Sequence, residues 1–352
     1  MTQLLIGVSR KSDLGGAVQT YCDTVKSKQV KRSWPTGYSS VLVPSAISSL
    51  KQTNITMTIL TALFDFALIW SIAVVDNLFF MKLETLYLPL YLITLVIIGR
   101  SQRGLECLVH EGSHYNWSRS GKTNDLLVNL LAALPVFSLV GKYRDGHKTH
   151  HLYFGSIQDP DRQRYEQLNI DDLDRSSVKA FLLGMTKRLP GYVVSWWKAI
   201  RLSPRVLLYS VIWHTVVFVL PATLLLGWWT GLDLWLRYWF LPLMLALPII
   251  RFVGEAGEHI YMGKHNVFAA TINNHGLAHK LIFHPHNDGY HLLHHLMPSV
   301  PHFNLEKAHQ CLSSADPANY GLRQLHRLRV LQEPVTLEQI ASGVNDEGRS
   351  VI

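Results

Sequence analysis

Four long apolar runs, separated by polar and basic stretches, dominate the hydrophobic pattern of this sequence. An α-helix rises about 1.5 Å per residue, so about 20 apolar residues span the ~30 Å hydrocarbon core of a bilayer. The second run contains Pro89, which a helix inside a membrane tolerates. The pattern therefore predicts an all-α integral membrane protein with four transmembrane helices in two hairpins. The predicted spans are residues 55–75, 83–99, 207–226 and 232–253.

A fifth apolar run, residues 125–141, is short for a transmembrane helix and lies between two histidine-rich segments. A complete crossing would place those segments on opposite sides of the membrane, where they could not share a metal site. We therefore expect an interfacial or re-entrant helix pair that is broken near Pro135.

The distribution of positive charge predicts which side of the membrane each polar segment faces. Cytosolic segments carry an excess of Lys and Arg, and the first 50 residues are polar and basic. The turn at residues 228–233 has no Lys or Arg, which suits a loop outside the cytosol. Both termini are thus expected in the cytosol. This divides the chain into a basic cytosolic arm (1–50), a membrane domain (51–315) and a cytosolic tail (316–352).

Composition narrows the functional classes. Charged residues are only 16% of the chain, and the mean hydropathy of +0.12 is high for a soluble protein. The net charge of +8 is not a nucleic-acid signal, because the Lys and Arg residues fall between the apolar runs rather than in one patch. The cysteines, Cys22, Cys107 and Cys311, are far apart, which predicts neither a disulfide framework nor a zinc ribbon and suits a reducing cytosol.

Three clusters of histidine carry the candidate chemistry. On a helix, positions i, i+3 and i+4 lie on one face, so each cluster can aim two or three imidazoles at one point. Neutral imidazole binds iron, zinc or copper at pH 7. A lone buried histidine is more often a hydrogen-bonded core residue, but three clusters on one predicted side of the membrane favour a shared metal site. The clusters are His110 and His114; His147, His150 and His151; and His291, His294 and His295.

The segments around these clusters resemble the three histidine boxes of the membrane fatty acid desaturase and hydroxylase superfamily, in its bacterial type. The first is LVHEGSHYNWSRSGKTND (108–125), the second YRDGHKTHHLYFGSIQDPD (143–161) and the third YHLLHHLMPSVPHFNLEKAH (290–309). The resemblance covers roughly residues 50–315. It implies a cytosolic helical cap that carries a histidine-rich site for two irons, reduced by an external donor and reacting with O₂.

The resemblance also implies roles for residues outside the boxes. Acyl-CoA desaturases of this type have a ninth histidine ligand after the last span, in an NxxxH pattern, and the matching stretch here is EAGEH, which ends at His259. Glu255 replaces the Asn of that pattern and is a candidate catalytic residue, while Glu258 is the alternative carboxylate at the metal. Glu111, inside the first box, is expected to orient a ligand imidazole. The same orienting role is expected for two residues before the third box, His286 and Asp288.

The implied function is an O₂-dependent desaturase that introduces a double bond into a fatty acyl or other amphiphilic substrate. The residues leave open two alternatives in the superfamily, namely a membrane di-iron hydroxylase or monooxygenase and a desaturase of a non-lipid specialised metabolite. A metal transporter or metal sensor, from a different class, predicts ligands inside the spans.

The expected surroundings follow from the same resemblance. The sequence has no HPGG haem motif, so the electrons are expected from a separate ferredoxin, flavodoxin or cytochrome. The expected location is the bacterial inner membrane, with the active site on the cytosolic face. The bilayer, a ferredoxin-type donor and a lipid or amphiphilic substrate are the predicted partners, and nucleic acid is not.

Overall fold

The computed structural model describes residues 49–201, 203–261, 267–317, 320–322 and 324–325. These residues are mostly helical, as the sequence analysis predicts, and the only strands among them are one pair of two residues each. Nearly all of the predicted cytosolic arm (1–50) and most of the predicted tail (316–352) lie outside the described residues, so those two divisions stay predictions.

The first helical hairpin leads from the apolar part of the chain to the first histidine box. α1 (Ile55–Leu78) begins after Asn54, whose side chain accepts a hydrogen bond from the backbone N–H of Met57 at 3.0 Å. This bond satisfies one of the free N–H groups in the first turn of the helix. A 3₁₀ turn (Phe80–Lys82) then leads to α2 (Tyr87–Ser113), which carries the first box at its end.

Three of the described helical segments are long and apolar enough to cross a membrane, and one bent helix pair brings the possible number to four. The three are Ile55–Lys82, Pro204–Leu226 and Trp228–Glu255. They correspond to the first, third and fourth predicted spans. α2 differs from the second predicted span, because it begins at Tyr87 rather than at residue 83 and its apolar part is followed on the same helix by Arg100 and Arg103. The topology of four spans in two hairpins therefore stays a prediction.

The fifth apolar run forms two helices that meet at a sharp bend. α3 (Gly121–Val128) continues through a π turn and a 3₁₀ turn, and α4 (Val140–Leu152) follows at an angle of 88°. The chain changes direction at Phe137, which has a left-handed backbone with a φ of 55°. The break thus lies just after Pro135, close to the predicted position. The two turns are Asn129–Ala133 and Leu134–Val136.

Two helices connect the bent pair to the second hairpin. α5 (Pro160–Leu168) has proline at its first position, where the missing N–H leaves no hydrogen bond unmade. Asp159 caps this helix, because its carboxylate accepts hydrogen bonds from the backbone N–H groups of Asp161 at 2.9 Å and Arg162 at 3.4 Å. α6 (Val178–Arg201) then runs to the start of the second hairpin.

The second hairpin is built from two long helical segments, each interrupted by a π turn. The first segment comprises α7 (Pro204–Trp213) and α8 (Leu220–Leu226), and the second comprises α9 (Trp228–Trp235) and α10 (Leu241–Glu255). Gly227 joins them with a φ of 89°, a backbone conformation that would strain any residue with a Cβ atom. The π turns are His214–Val219 and Leu236–Phe240.

The chain after the second hairpin forms a cap of short elements that carries the third histidine box. After α11 (Val267–Ala270), β1 (Asn273–Asn274) pairs in parallel with β2 (Gln324–Leu325). α12 (His291–Leu296) holds the box, and α13 (His302–Ala315) packs against it. The remaining elements are a π turn at His279–Phe283 and 3₁₀ turns at Pro285–Asn287 and Tyr320–Leu322.

Buried tryptophans tie the bent pair to the membrane helices. The indole N–H of Trp213 donates to the carbonyl of Leu130 at 2.9 Å, and that of Trp239 donates to the carbonyl of Pro135 at 3.0 Å. The Trp239 ring also stacks on Phe66 of α1, with 5.7 Å between the ring centroids. These contacts hold the end of α3, and therefore the start of α4, against α1 and the second hairpin.

α2 and α10 cross closely at Gly99. A Cβ atom at this position would lie 2.6 Å from the Cβ of Ala246, so only glycine fits without a shift of the backbone. Small residues of this kind allow helices in a membrane to approach each other. Because both helices run toward the histidine boxes, the crossing brings the end of α2 close to the segment that follows α10.

Candidate metal centre

The capping of α2 holds the first two histidine boxes together. The last carbonyl groups of this helix have no partner within the helix and need other donors. Asn124 of α3 donates to the carbonyl of Gly112 at 2.9 Å, and Arg144 of α4 donates to the carbonyls of Ser113 at 3.0 Å and Gly112 at 3.2 Å. Nη1 of Arg144 also donates a hydrogen bond to Oδ2 of Asp125 at 3.1 Å. α4 is therefore fixed across the end of α2, with the second box facing the first.

His259 reaches the same place from a short extended segment. α10 ends at Glu255, and the chain then turns and pairs antiparallel with the segment around Thr271. The backbone N–H of Ile260 donates to the carbonyl of Ala270 at 2.8 Å. Nδ1 of His259 lies 3.2 Å from the hydroxyl oxygen of Thr271, and its Nε2 faces Nε2 of His291.

Four histidines from three segments form a first group of converging ring nitrogens. The possible ligand atoms of His110, His114, His147 and His294 all lie within 4.8 Å of one another. Nε2 of His110 is 2.9 Å from Nε2 of both His147 and His294, and Nε2 of His147 is also 2.9 Å from Nε2 of His114. One ring nitrogen carries either one hydrogen or one lone pair, so it cannot bond to several others at once. The spacing suits a metal ion about 2.1 Å from each nitrogen, because ligands at right angles around it are then about 3.0 Å apart.

A second group lies beside the first. The possible ligand atoms of His150, His259 and His295 lie within 4.8 Å of one another, and Nε2 of His150 is 3.3 Å from Nε2 of His295. His291 joins this group, since its Nε2 is 3.0 Å from Nε2 of His259 and 3.3 Å from Nε2 of His295. All four rings are buried.

His151 connects the two groups. Its Nε2 lies 3.1 Å from Nε2 of His147 and 3.2 Å from Nε2 of His294, and its ring stacks on His295 with 4.4 Å between centroids. The structure thus brings the eight box histidines and His259 into one cluster. An all-imidazole donor set of this size fits two iron ions.

Asp288 is placed to orient His110. Its Oδ1 lies 3.0 Å from Nδ1 of His110, and its Oδ2 accepts a hydrogen bond from Arg103 at 2.8 Å. A ligand histidine commonly donates its outer N–H to a carboxylate, which turns its other nitrogen toward the metal. The same expectation for His286 is wrong, because Nε2 of that ring lies 2.6 Å from a carboxylate oxygen of Asp65 in α1.

Asp159 gives His150 the same support, and the sequence analysis does not assign it this role. Its Oδ1 lies 2.8 Å from Nδ1 of His150, and both side chains are fully buried. The carboxylate also accepts a hydrogen bond from the backbone N–H of Gly155 at 2.9 Å. The signal in the sequence is the Asp-Pro pair after the second box, since an aspartate before a proline marks the start of a helix and places a carboxylate there.

The Asp159→Asn variant is expected to bind iron about tenfold more weakly than the wild type. Asparagine still caps α5, but it lacks the negative charge that supports His150 as a ligand. The iron that each protein retains after dialysis against a chelator measures the effect. Asp145→Asn, at an exposed position of α4, is the matched control and should retain iron like the wild type. Equal retention by both variants would contradict the role given to Asp159.

Burial favours the neutral form of four rings of the cluster. It lowers the pKa of His259, His294 and His295 well below the usual value for histidine, and it lowers the pKa of His291 to about 4. A neutral imidazole offers its lone pair directly. No proton has to leave these four rings before a metal binds.

Glu111 does not orient a ligand imidazole, so that expectation is wrong. Its carboxylate accepts hydrogen bonds from the backbone N–H of His302 at 2.7 Å and from the side chain of Asn116 at 3.3 Å. It follows His110 directly and is therefore turned by about 100° around α2, away from the point that His110 and His114 share. Glu111 fixes the start of α13 against the end of α2 instead.

Glu255 lies in a buried ion-pair network beside the cluster rather than at the ligand nitrogens. Its Oε1 accepts a hydrogen bond from Nε of Arg251 at 2.8 Å, and its Oε2 lies 3.4 Å from Nη2 of Arg164. Glu258 comes closer to the histidines, since its Oε2 is 3.8 Å from Nε2 of His291. Of the two candidate carboxylates, Glu258 is the one within reach of the centre.

A cavity of ≈ 340 Å³ lies directly against the cluster. Four of the nine histidines form part of its wall, so a molecule bound there touches the centre. The rest of the lining includes both apolar side chains and charged side chains. The four histidines are His110, His147, His150 and His291. The apolar part consists of Val109, Val136, Phe137, Leu139, Trp196 and Val206.

Known proteins are similar in sequence to this region. A family model described as fatty acid desaturase matches residues 85–327, which include all three histidine boxes and His259. Dihydrorhizobitoxine desaturase of Bradyrhizobium elkanii is 26% identical over 249 residues, covering 65% of this chain and 69% of that protein. The endoplasmic reticulum omega-3 fatty acid desaturase of Vigna radiata var. radiata is 23% identical over 275 residues, covering 68% of this chain and 70% of that protein.

Proposed function

The chain belongs to the fatty acid desaturase family and is an oxidoreductase, and from this premise we propose that it is an O₂-dependent di-iron desaturase. The observation that carries the proposal is the convergence of nine ring nitrogens in two adjacent groups. When bound, two irons would supply the activation of O₂ and the removal of hydrogen from an unactivated carbon. Zinc also accepts imidazole ligands, but it has no redox chemistry.

In this proposal the protein supplies geometry rather than reacting groups. Its nine histidines hold the metals, and Asp288 and Asp159 keep His110 and His150 in the ligating orientation. The cavity places the substrate against the centre, and its apolar wall receives the carbon chain that reacts. The carboxylate oxygen Oε2 of Glu258 lies 3.8 Å from Nε2 of His291, so this carboxylate is positioned to contact a group bound at the metals.

Desaturation is favoured over hydroxylation by the names of both relatives, which are desaturases. A desaturase removes two hydrogens from adjacent carbons and consumes O₂, two electrons and two protons to give an alkene and two waters. A hydroxylase uses the same inputs, but one oxygen atom enters the product and one water is released. The products therefore distinguish the two reactions directly.

The position of the histidines argues against metal transport. A transporter would hold its ions near the middle of the membrane helices. None of the nine histidines lies in the three candidate spans, and His259 comes only after the end of α10. The bent helix pair carries the second box, but only on α4, after its 88° bend. A site beside the ends of the helices suits an enzyme that takes its substrate at the membrane surface.

We also propose that the protein lies in the bacterial inner membrane with its centre on the cytosolic face. The candidate spans and the basic N-terminal sequence support this placement. The electrons would come from a separate ferredoxin, flavodoxin or cytochrome. Lys142 and Lys148 are exposed on α4 next to the second box, and such cations attract an acidic donor.

Product analysis tests the reaction. The full chain is expressed in a bacterial host with a matched ferredoxin and reductase, and lipids and small metabolites are compared by mass spectrometry. A product about two mass units lighter than its precursor, present with the wild type and absent with His150→Ala, is the expected result. A product about sixteen mass units heavier than its precursor would identify the protein as a hydroxylase instead of a desaturase. Identical pools in both strains, with iron bound, would show that neither host pool contains the substrate.

A further inference from the structure

The charged wall of the cavity bears on the chemical class of the substrate. Charged residues of both signs line it, and a hydrocarbon chain packed against them could not satisfy any of their unmet hydrogen bonds. A polar substrate, in contrast, can bond to them. The charged wall therefore suits a charged head group better than an acyl tail.

Five of these charges form an alternating ladder along the wall. At one end, Glu106 lies 3.2 Å from Nη1 of Arg251, and Nε of Arg251 donates to Glu255 at 2.8 Å. Glu255 in turn lies 3.4 Å from Nη2 of Arg164, which donates to Asp161 at 2.9 Å. Opposite charges alternate along the ladder, so each residue stabilises the charge of the next.

The two ends of the ladder have opposite unmet hydrogen-bonding capacity. Oε2 of Glu106 is buried and has no hydrogen-bond donor, although Nη1 of Arg103 lies 3.7 Å away. The Nε of Arg164 is buried and has no acceptor. Both side chains line the cavity. Buried polar groups are normally paired, and an unpaired group beside a cavity is a place where a bound molecule supplies the partner.

We propose that the cavity binds a zwitterionic substrate, with its ammonium group on Glu106 and its carboxylate on Arg164. This proposal rests on the proposed function, because the apolar wall then holds the reacting carbons against the histidine cluster. The shared chemistry is an α-amino acid group, whether on a compact free metabolite or at the head of a long-chain amphiphile. Lys142, exposed at the edge of the same cavity, adds positive charge that attracts the carboxylate.

Calorimetric titration of the iron-loaded full chain in nanodiscs tests this recognition without turnover. The probes are L-norleucine, hexanoate and hexylamine, which share one carbon chain, together with palmitate and 2-aminohexadecanoate. We expect L-norleucine to bind at least about tenfold more tightly than hexanoate or hexylamine, because only it satisfies both ends of the ladder. Tighter binding of 2-aminohexadecanoate than of L-norleucine would identify a long-chain amphiphile, and the reverse order a compact metabolite.

Two conservative variants assign the two ends. Glu106→Gln should weaken the binding of L-norleucine about tenfold and leave the binding of hexanoate unchanged. Arg164→Lys should weaken the binding of both. Glu166→Gln and Arg162→Lys, which alter an ion pair on the outer face of α5, are the matched controls and should bind like the wild type. Unchanged L-norleucine binding in Glu106→Gln, or palmitate binding more tightly than either amino acid, would overturn the proposal.

Iron content separates this inference from the proposed function. Two irons per chain without L-norleucine or 2-aminohexadecanoate binding would reject the zwitterionic substrate and leave the di-iron site intact. Binding of these probes by a chain that takes up no iron would do the opposite. Thermal unfolding of each variant shows whether a loss of binding comes from a loss of fold.

Discussion

The His294→Ala variant is expected to lose at least about 100-fold of its activity and much of its iron. His294 is central to the first group, since its Nε2 lies 2.9 Å from that of His110, 3.2 Å from that of His151 and 3.4 Å from that of His147. Loss of a group that orients a metal ligand lowers metal affinity or activity about 10- to 100-fold, and loss of the ligand itself lowers them at least as much. The same result is expected for His150→Ala in the second group.

Iron per chain and product formation are measured on the same purified preparations. His309→Ala is the matched control, because this histidine lies in α13 and contacts Tyr320 rather than the cluster. The control should keep its iron and its activity, and all variants should be recovered from the membrane fraction. If His294→Ala kept the iron content and the activity of the wild type, the histidine cluster would not be the catalytic centre.

The second large effect is expected for His259→Ala, which should lower the iron content toward one per chain. His259 belongs only to the second group, where its Nε2 lies 3.0 Å from that of His291. The first group contains no atom of His259, so one metal position should survive. Activity should fall at least about 100-fold, because a reaction that needs both irons stops when either is lost.

Iron stoichiometry together with product analysis decides this prediction. His275→Ala is a suitable control, since it lies in the same connecting segment and its ring contacts Tyr290 and His309. If His259→Ala kept two irons per chain and normal turnover, the ninth ligand would have to be sought elsewhere, with Glu258 as the first alternative. Loss of both irons would show instead that the two groups are filled cooperatively.

The eight box histidines could be selected from the sequence because their spacing is periodic. Positions i, i+3 and i+4 require only a helix to bring them together, and the structure provides helices for all three boxes. His259 was selected by resemblance alone. Nothing in its spacing predicts the short antiparallel pairing with Thr271 that places it, because that pairing depends on residues brought together by the fold.

The glutamates show where sequence position misleads. Glu111 lies inside the first box, but the helical period turns it away from the histidines on either side of it. Glu255 and His259 have helical spacing, but α10 ends at Glu255, so the two are not on one helix face. Glu258 is adjacent to His259, in the turn that follows α10, and reaches His291 from there. A residue's distance along the chain therefore predicts its direction only when its secondary structure is known.

Only part of the charged wall could be predicted from the sequence. Arg251 of α10 stands in the last predicted span, 232–253, four residues before Glu255, which marks it as unusual. Glu106 and Arg164 come from α2 and α5 and look like ordinary solvated charges in the sequence. Only the packing of the three helices turns them into a ladder. The cavity beside the histidines therefore has charged as well as apolar lining.

In the proposed di-iron enzyme, the origin of the histidines in distant segments would make the stability of the folded cap depend on the supply of iron. His110 and His294, whose ring nitrogens almost touch, are 184 residues apart along the chain. An ion held by both acts as a cross-link that closes a long loop, and the unfolded chain cannot bind it in the same way. Iron starvation would therefore loosen the cap and expose it to proteolysis. The cell would lose the enzyme together with its cofactor, with no need for a separate sensor.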